Sequence, residues 1–473
     1  PMIRLAFDSF RLVLLPTDLL LFLLLFATIG FLLYARRREY YRVAWRQIVA
    51  RPFAMACMGV CLLYASVALL DSVRFQERAA VADGTRQKTE KGDPVYRPEV
   101  LTLLDVLCSG LREHTETTFS APFATHQFTK ETIELADGGT IRGYPRLRYG
   151  GASLADPEET WRQVAWLALR GLMLGTGLGG MLIVLAIGFF VARRRVSQKE
   201  KPGAPPVRSG LRVGGFLAVL AVLTGILVSL SVEYHVLGTD QVGQDVLYRS
   251  LKGCRVGLVV GTLTTLIATP LAILFGIMAG YFGGRIDDII QYLYTTLDSI
   301  PSILLIAAAM LIVTTRVEVQ QAALASDTRL LWLCVVLGIG SWTGLCRLLR
   351  GETLKVRENE YVEAAEAFGV SRIEIMFRHL LPNVTHIVLI SIILRFSGLV
   401  LAEAVLAYVG IGVDPSMESW GNMINAARLD ISRDPIVWWN LLAAFLFMFG
   451  LVLPANIFGD AVRDALDPRL KME

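Results

Sequence analysis

Charge is scarce in this chain. Lys, Arg, Asp and Glu make up 19% of its 473 residues against 54% hydrophobic ones, a balance that excludes an ordinary soluble core. No Gly-Lys dipeptide occurs, so the G-x4-G-K-[ST] phosphate loop is absent and the chain has no ATP site of that type. Five His and six Cys are present, with no H-E-x-x-H run and no zinc-site spacing, so no metal or other bound cofactor is expected. Neither Ser nor Cys sits in a recognisable nucleophile motif. The net charge of +4 and the pI of 8.7 are accounted for by basic loops beside a membrane, which leaves no case for nucleic acid.

Long apolar runs are what the chain does have, and its mean hydropathy is +0.52. One bilayer crossing takes about 20 mostly apolar residues. Segments near 12–34, 53–71, 164–192, 214–232, 255–280, 291–314, 329–349, 384–411 and 436–459 qualify, which predicts an all-α polytopic membrane protein. No soluble stretch is long enough for a catalytic domain, so such chemistry must come from another chain. Arg36, Arg37, Arg38, Arg42, Arg46 and Arg51 mark the first loop as cytoplasmic, and Arg193, Arg194, Arg195, Lys199, Lys201, Arg208 and Arg212 mark the third. Alternation then places the N-terminus outside, the C-terminus inside and residues 350–382 in the cytoplasm. The first arginine cluster follows the first apolar segment, so that segment reads as a retained span rather than a signal peptide.

The polar run 350–382, RGETLKVRENEYVEAAEAFGVSRIEIMFRHLLP, lies between two such segments. Good helix formers fill Glu360 to Ala367, Gly369 supplies a stop, and Ser371 caps a second helix running to Leu381. Ala364 and Ala365 leave a flat surface, with Tyr361, Val362 and Phe368 as apolar contacts for a partner's groove. Pro382 restricts Leu381 and sets the angle at which the chain re-enters the bilayer. The plainer alternative is an ordinary amphipathic loop helix. Glu363-Ala364-Ala365, Gly369 and Leu381-Pro382 fall at E-A-A-x3-G-x11-L-P, which resembles the cytoplasmic loop by which permease subunits of ABC importers grip their ATPase.

Further blocks extend the resemblance over about residues 213–471. Leu237-Gly238-Thr239-Asp240-Gln241-Val242-Gly243-Gln244-Asp245-Val246-Leu247 looks like the L-G-T-D-x-x-G-R-D-V-L signature of the dipeptide, oligopeptide and nickel permease family. Gly280-Tyr281-Phe282-Gly283-Gly284 with Asp287, Ser419-Trp420-Gly421-Asn422-Met423, and the run from Gly459 to Arg469 are similar to its other blocks. Gln244 departs from the family's Arg, and His379 from its Ile. The resemblance implies a six-span permease core in the bacterial cytoplasmic membrane. It also implies a second permease subunit, two ABC ATPase subunits carrying ATP and Mg, and an extracytoplasmic substrate-binding protein. Cargoes of such cores are dipeptides, oligopeptides, peptide antibiotics or nickel chelates, and peptides are the leading expectation.

Each block has a plainer reading beside the functional one. In the family the L-G-T-D block is a short amphipathic gating element, which singles out Asp240, Gly243 and Asp245; by itself it is a turn and an N-capped helix on the outer surface. Gly280, Gly283 and Gly284 suit a tight turn. Trp420 reads as an interfacial anchor, with a substrate-facing role as the alternative. Asp298, near Pro301, and Glu403, in Leu401-Ala402-Glu403-Ala404, are the candidates for a polar pathway. Pro301 and Pro454 are expected to kink spans. Were the chain a self-sufficient secondary transporter or channel, the second reading, those carboxylates would carry it.

Residues 193–212, rich in Lys, Arg, Pro and Gly, divide an N-terminal three-span module, 1–192, from the core, 213–473. The resemblance does not cover this module. Its outer segment 71–160 reads as a small α/β insertion, helix-like at Val100 to Leu111 and a hairpin at Glu131 to Arg142 around Asp137-Gly138-Gly139. A mobile loop is the alternative. Cys108 and Cys254 lie where a bridge is conceivable, while the other cysteines act as small hydrophobes.

Overall fold

The computed structural model describes residues 3–6, 10–37, 39–78, 96–97, 99–134, 140–154, 159–196, 206–316 and 322–466. Eight helices among them are long and apolar enough to cross a bilayer. α1 (Pro16–Ala35) and α3 (Pro52–Ser72) each begin at a proline, whose fixed φ and missing N–H suit a first helical turn, and α2 (Glu39–Ala50) joins them. α6 (Thr160–Val196) and α7 (Pro206–Ser231) form a close hairpin in which Gly171, Gly175 and Gly179 meet the backbone around Gly225, Val222 and Ala218. The other spans are α8 (Val246–Phe282), α11 (Ala322–Ser341) continued by α12 (Thr343–Arg357), α15 (Leu381–Tyr408) entered through α14 (Arg372–Ile375), and α17 (Trp439–Leu466). α8 is central, packing on α3, α11, α12 and α15.

The expected span at 291–314 is broken. α9 (Gly284–Ser299) and α10 (Ser302–Arg316) meet at 87°, because Ile300 precedes Pro301 and is pushed to an extended φ of −91° and ψ of 129°. If this pair counts as one crossing, the total is nine. The first span also starts later than residue 12. Phe10–Leu14 is a strand, β2, which pairs with β1 (Ile3–Ala6) and β3 (Arg74–Glu77), while β4 (Leu101–Thr102) closes an antiparallel sheet in the order β1-β2-β3-β4.

Within the outer segment the expected helix at 100–111 is divided. β4 leads into α4 (Leu103–Leu107), opened by a reciprocal Thr102–Asp105 capping box, and α5 (Ser109–Glu113) follows Cys108. β5 (Glu131–Glu134) pairs with β6 (Thr140–Gly143) as the expected hairpin, though its Asp137-Gly138-Gly139 turn lies outside the described residues. The linker is shorter than 193–212: Arg193 to Val196 complete α6 and Pro206 to Arg212 open α7, with 197–205 outside the described residues. All six cysteines are free, Cys108 and Cys254 included.

Candidate functional sites at the two ends of the core

The E-A-A sequence forms α13 (Glu360–Ala367), and Gly369 follows with a φ of +76°, a left-handed conformation that costs little without a Cβ. Val362 and Ala365 are buried against the core around Leu349 and Leu380, whereas Tyr361, Glu363, Ala364 and Phe368 point outward, Phe368 at 86% exposure. Of the residues expected to present a contact surface, Val362 and Ala365 are therefore packing residues: three positions apart on α13, they share the face turned to the core. Ser371 Oγ accepts from the Glu374 amide at 3.3 Å, as a cap should.

Beyond Ser371 the chain does not end a helix at Leu381. A π-helical turn, Met376–Leu380, carries α14 into α15, and Leu381 is right-handed helical at φ −54° and ψ −46°. Pro382 thus follows the π turn directly, inside a helix that continues into α15, and sets no separate re-entry angle. Tyr361 Oη accepts from Asn383 Nδ2 at 2.9 Å. Behind α13, Tyr281 Oη donates to Glu366 Oε1 at 2.8 Å and Arg350 forms a two-point pair with Asp287 at 2.5 and 2.7 Å. Arg357 Nη1 donates to the carbonyls of Gly280 and Tyr281 at 3.4 and 3.3 Å.

At the other end, the L-G-T-D block is not a separate interfacial helix. Asp245 is the buried N-cap of α8 itself, its Oδ1 accepting from Leu247 and Tyr248 amides at 2.8 and 3.2 Å. Asp240 Oδ1 accepts from the Val242 and Gln244 amides at 2.9 and 2.8 Å, and its other oxygen pairs with Arg249, which also donates to Glu418 at 2.8 Å. Gly243 has φ +76° and lies under the Glu116 carbonyl, where a Cβ would come within 1.9 Å. The outer segment is the reason the block is buried: Glu116, Ser120 and Phe123 amides donate to Gly243 O, Thr239 Oγ1 and His235 O.

His235 is the hub of that seam. Its Nδ1 donates to Asp245 Oδ2 at 2.7 Å and its Nε2 stands 3.6 Å from Glu116 Oε1, an ionic contact. Burial alone would lower its pKa, but the two carboxylates raise it to about 9. Burial would raise Glu116, yet the His235 ring and the amides of Arg148, Tyr149 and Gly150 hold it at about 2.

Trp420, first residue of α16 (Trp420–Asp430), is 1% exposed and donates from Nε1 to Ser250 O at 2.9 Å. It is a core residue, not an interfacial anchor, because Gly253 and Gly257 open a slot for its ring on α8. Asp298 and Glu403 are not brought together. Asp298 is exposed and paired with Arg347 at 2.5 Å, whereas Glu403 is buried near Gly421, with Oε1 lacking a hydrogen-bond partner among the described residues.

A buried ionic cluster was not anticipated. Arg255 of α8, 1% exposed, donates to Asp18 of α1 at 2.9 and 2.5 Å and to Asp327 of α11 at 3.0 Å, and Arg74 of β3 faces Asp18 at 3.3 Å. Beside it Tyr248 and Lys252 both donate to Asp105 Oδ1, at 2.6 and 2.8 Å. A cavity of about 210 Å³ remains at this junction, lined by Asp71, Arg74, Lys252, Arg255, Asp327 and Glu418 among others. The signal was present in the sequence: Asp18 and Arg255 are charges inside apolar segments, where an unpaired charge is costly.

Spans thus pack around α8, with a short polar helix turned outward at one end and a folded segment closing the other. Residues 272–472 match the family of binding-protein-dependent transport system inner membrane components. The dipeptide transport system permease protein of Bacillus subtilis is 31% identical over 237 residues, 50% of this chain and 69% of that protein. The oligopeptide permease of Haemophilus influenzae is 32% identical over 238 residues, 50% and 71% of the two chains. The glutathione permease of Pectobacterium atrosepticum is 33% identical over 237 residues, 50% and 73%. The chain belongs to this family of ABC importer permeases. It is a multi-pass inner-membrane permease subunit of an ATP-driven importer.

Proposed function

We propose that this subunit carries peptides, and that α13 is the surface through which ATPase subunits drive it. The cargo reading rests on the dipeptide, oligopeptide and glutathione transport named for its relatives. The drive reading rests on one observation above all: α13 buries Val362 and Ala365 against the core and turns Tyr361, Glu363, Ala364 and Phe368 away from it. An apolar side chain as exposed as Phe368, beside a carboxylate and a small residue, suits insertion into a partner's groove. Closure of two ATPases, holding ATP and Mg, would push α13 and rock the spans between inward- and outward-open states.

In this reading the α13 end is cytoplasmic, the N-terminus lies outside and the C-terminus inside. A second permease chain completes the pathway, lipid surrounds the apolar faces, and an extracytoplasmic substrate-binding protein docks over the outer segment 71–160. Asp240, Gly243, Asp245 and Trp420 then hold the outer end closed rather than touch cargo, and Glu403 is the better candidate than Asp298 for a group inside the pathway. Gly369→Trp in the complex purified with its partners tests the coupling role. Loss of ATPase attachment or of cargo-stimulated hydrolysis is expected, and unchanged assembly and hydrolysis would refute it.

A further inference from the structure

Helix α8 is bonded to different parts of the chain at its two ends. Asp245, Tyr248, Lys252 and Arg255 recur three or four residues apart and so form one stripe along its first turns. His235 ties Asp245 to Glu116, Asp105 accepts from Tyr248 and Lys252, Asp71 lies 3.8 Å from Lys252, and Asp18 accepts from Arg255 with the Thr17 hydroxyl beside it. Acidic side chains of the module thus sit on the donors Tyr248, Lys252 and Arg255 of the core. At the far end Tyr281 holds Glu366 of α13, and Arg357 holds the carbonyls of Gly280 and Tyr281.

Pro270 lies between the two ends and would weaken a free helix. Here neighbours brace it: Gly338 of α11 lies against Ile267, and Gly276 and Gly280 lie against Leu349, Cys346, Arg350 and Thr353 of α12, each approach too close for a Cβ. α12 leads in turn to α13. The outer segment, α8 and the polar helix are therefore joined without a slack element, over the roughly 50 Å that 33 helical residues between Tyr248 and Tyr281 span at 1.5 Å each.

We propose that α8 is a rigid connecting rod, with Tyr248 and Lys252 positioning its outer end on the N-terminal module and Tyr281 positioning its inner end on α13, so that the module restrains the resting transporter. This rests on the reading of α13 as the ATPase contact. It makes the extra module a control element for hydrolysis rather than an appendage. Removing either hydroxyl loosens the restraint at one end of the same rod.

A double-mutant cycle tests it. Tyr248→Phe, Tyr281→Phe and the double variant are measured in the partner-containing complex in lipid nanodiscs, reading ATP hydrolysis with neither receptor nor cargo added. Each single variant is expected to raise that rate about threefold, the scale of mutations along a coupled path. The double variant should equal either single one, whereas independent sites this far apart multiply within about twofold. Lys252→Met should behave as Tyr248→Phe does, and Lys252→Arg should restore the native rate. Singles without effect in an assembled complex, or a double variant equal to the product, overturn the rod. Gly369→Trp in the same preparation separates the two ideas: if it leaves assembly and hydrolysis intact, the α13 reading fails; if it disrupts them while the cycle multiplies, only the rod fails.

Discussion

Arg255 Nη2 lies 2.5 Å from Asp18 Oδ1, with both side chains at 1% exposure or less and 237 positions apart in sequence. This pair joins α8 to α1, and Asp327 and Arg74 complete its charge balance. A buried charge left without its partner typically costs about 3–5 kcal/mol. Arg255→Met, which leaves Asp327 without a cation and Asp18 with Arg74 alone, should therefore lower the Tm of the purified protein sharply. Adding Asp327→Leu leaves Asp18 with Arg74 and should recover most of the loss. An Arg255→Met protein as stable as the native one would show that the cluster does not hold the module.

The His235 seam gives a pH dependence. His235 has its folded pKa raised to about 9, so its contribution is full below the ordinary histidine value and disappears as pH rises through 9. Glu116 is held at about 2, so its contribution is full above the ordinary glutamate value and disappears only as pH falls through 2. Thermal stability should thus be highest in mildly acidic buffer and decline from pH 7 towards 9. His235→Gln should abolish most of that alkaline decline, which thermal unfolding across pH would read directly.

Trp420 separates a core role from an interfacial one. Truncating a buried Trp costs about 3–5 kcal/mol, so Trp420→Ala should unfold at much lower temperature, with Trp420→Phe in between. An anchor resting at headgroup level would give a small, lipid-dependent change instead.

How far the sequence could be read depended on whether a signal was local. Gly369, Ser371 and the Asp245 cap were legible because each meets a requirement of its own turn, and the hairpin at 131–143 because strand alternation flanks a turn. Strand β2 was not, since its apolar residues run straight into α1 and length alone does not tell strand from span. Burial of Val362 and Ala365 follows from which side of α13 meets α12 and α15, and the Arg255 cluster from packing between elements far apart, neither of which local pattern contains. Pro382 misled because a π turn before it accommodates the ring within a continuous helix.

Orientation has its own check. In a background without other reactive cysteines, Ile141→Cys on β6 should react with a membrane-impermeant maleimide in intact cells, and Phe368→Cys only after permeabilisation. The reverse pattern would invert the assignment of the two ends.

Photocrosslinking from α13 tests the central claim most directly. A benzoylphenylalanine placed at Phe368, 86% exposed, in the native complex should form an adduct with the ATPase subunit, while the same group at Leu429, 63% exposed on α16, should not. An assembled complex in which position 368 yields no ATPase adduct would contradict the account.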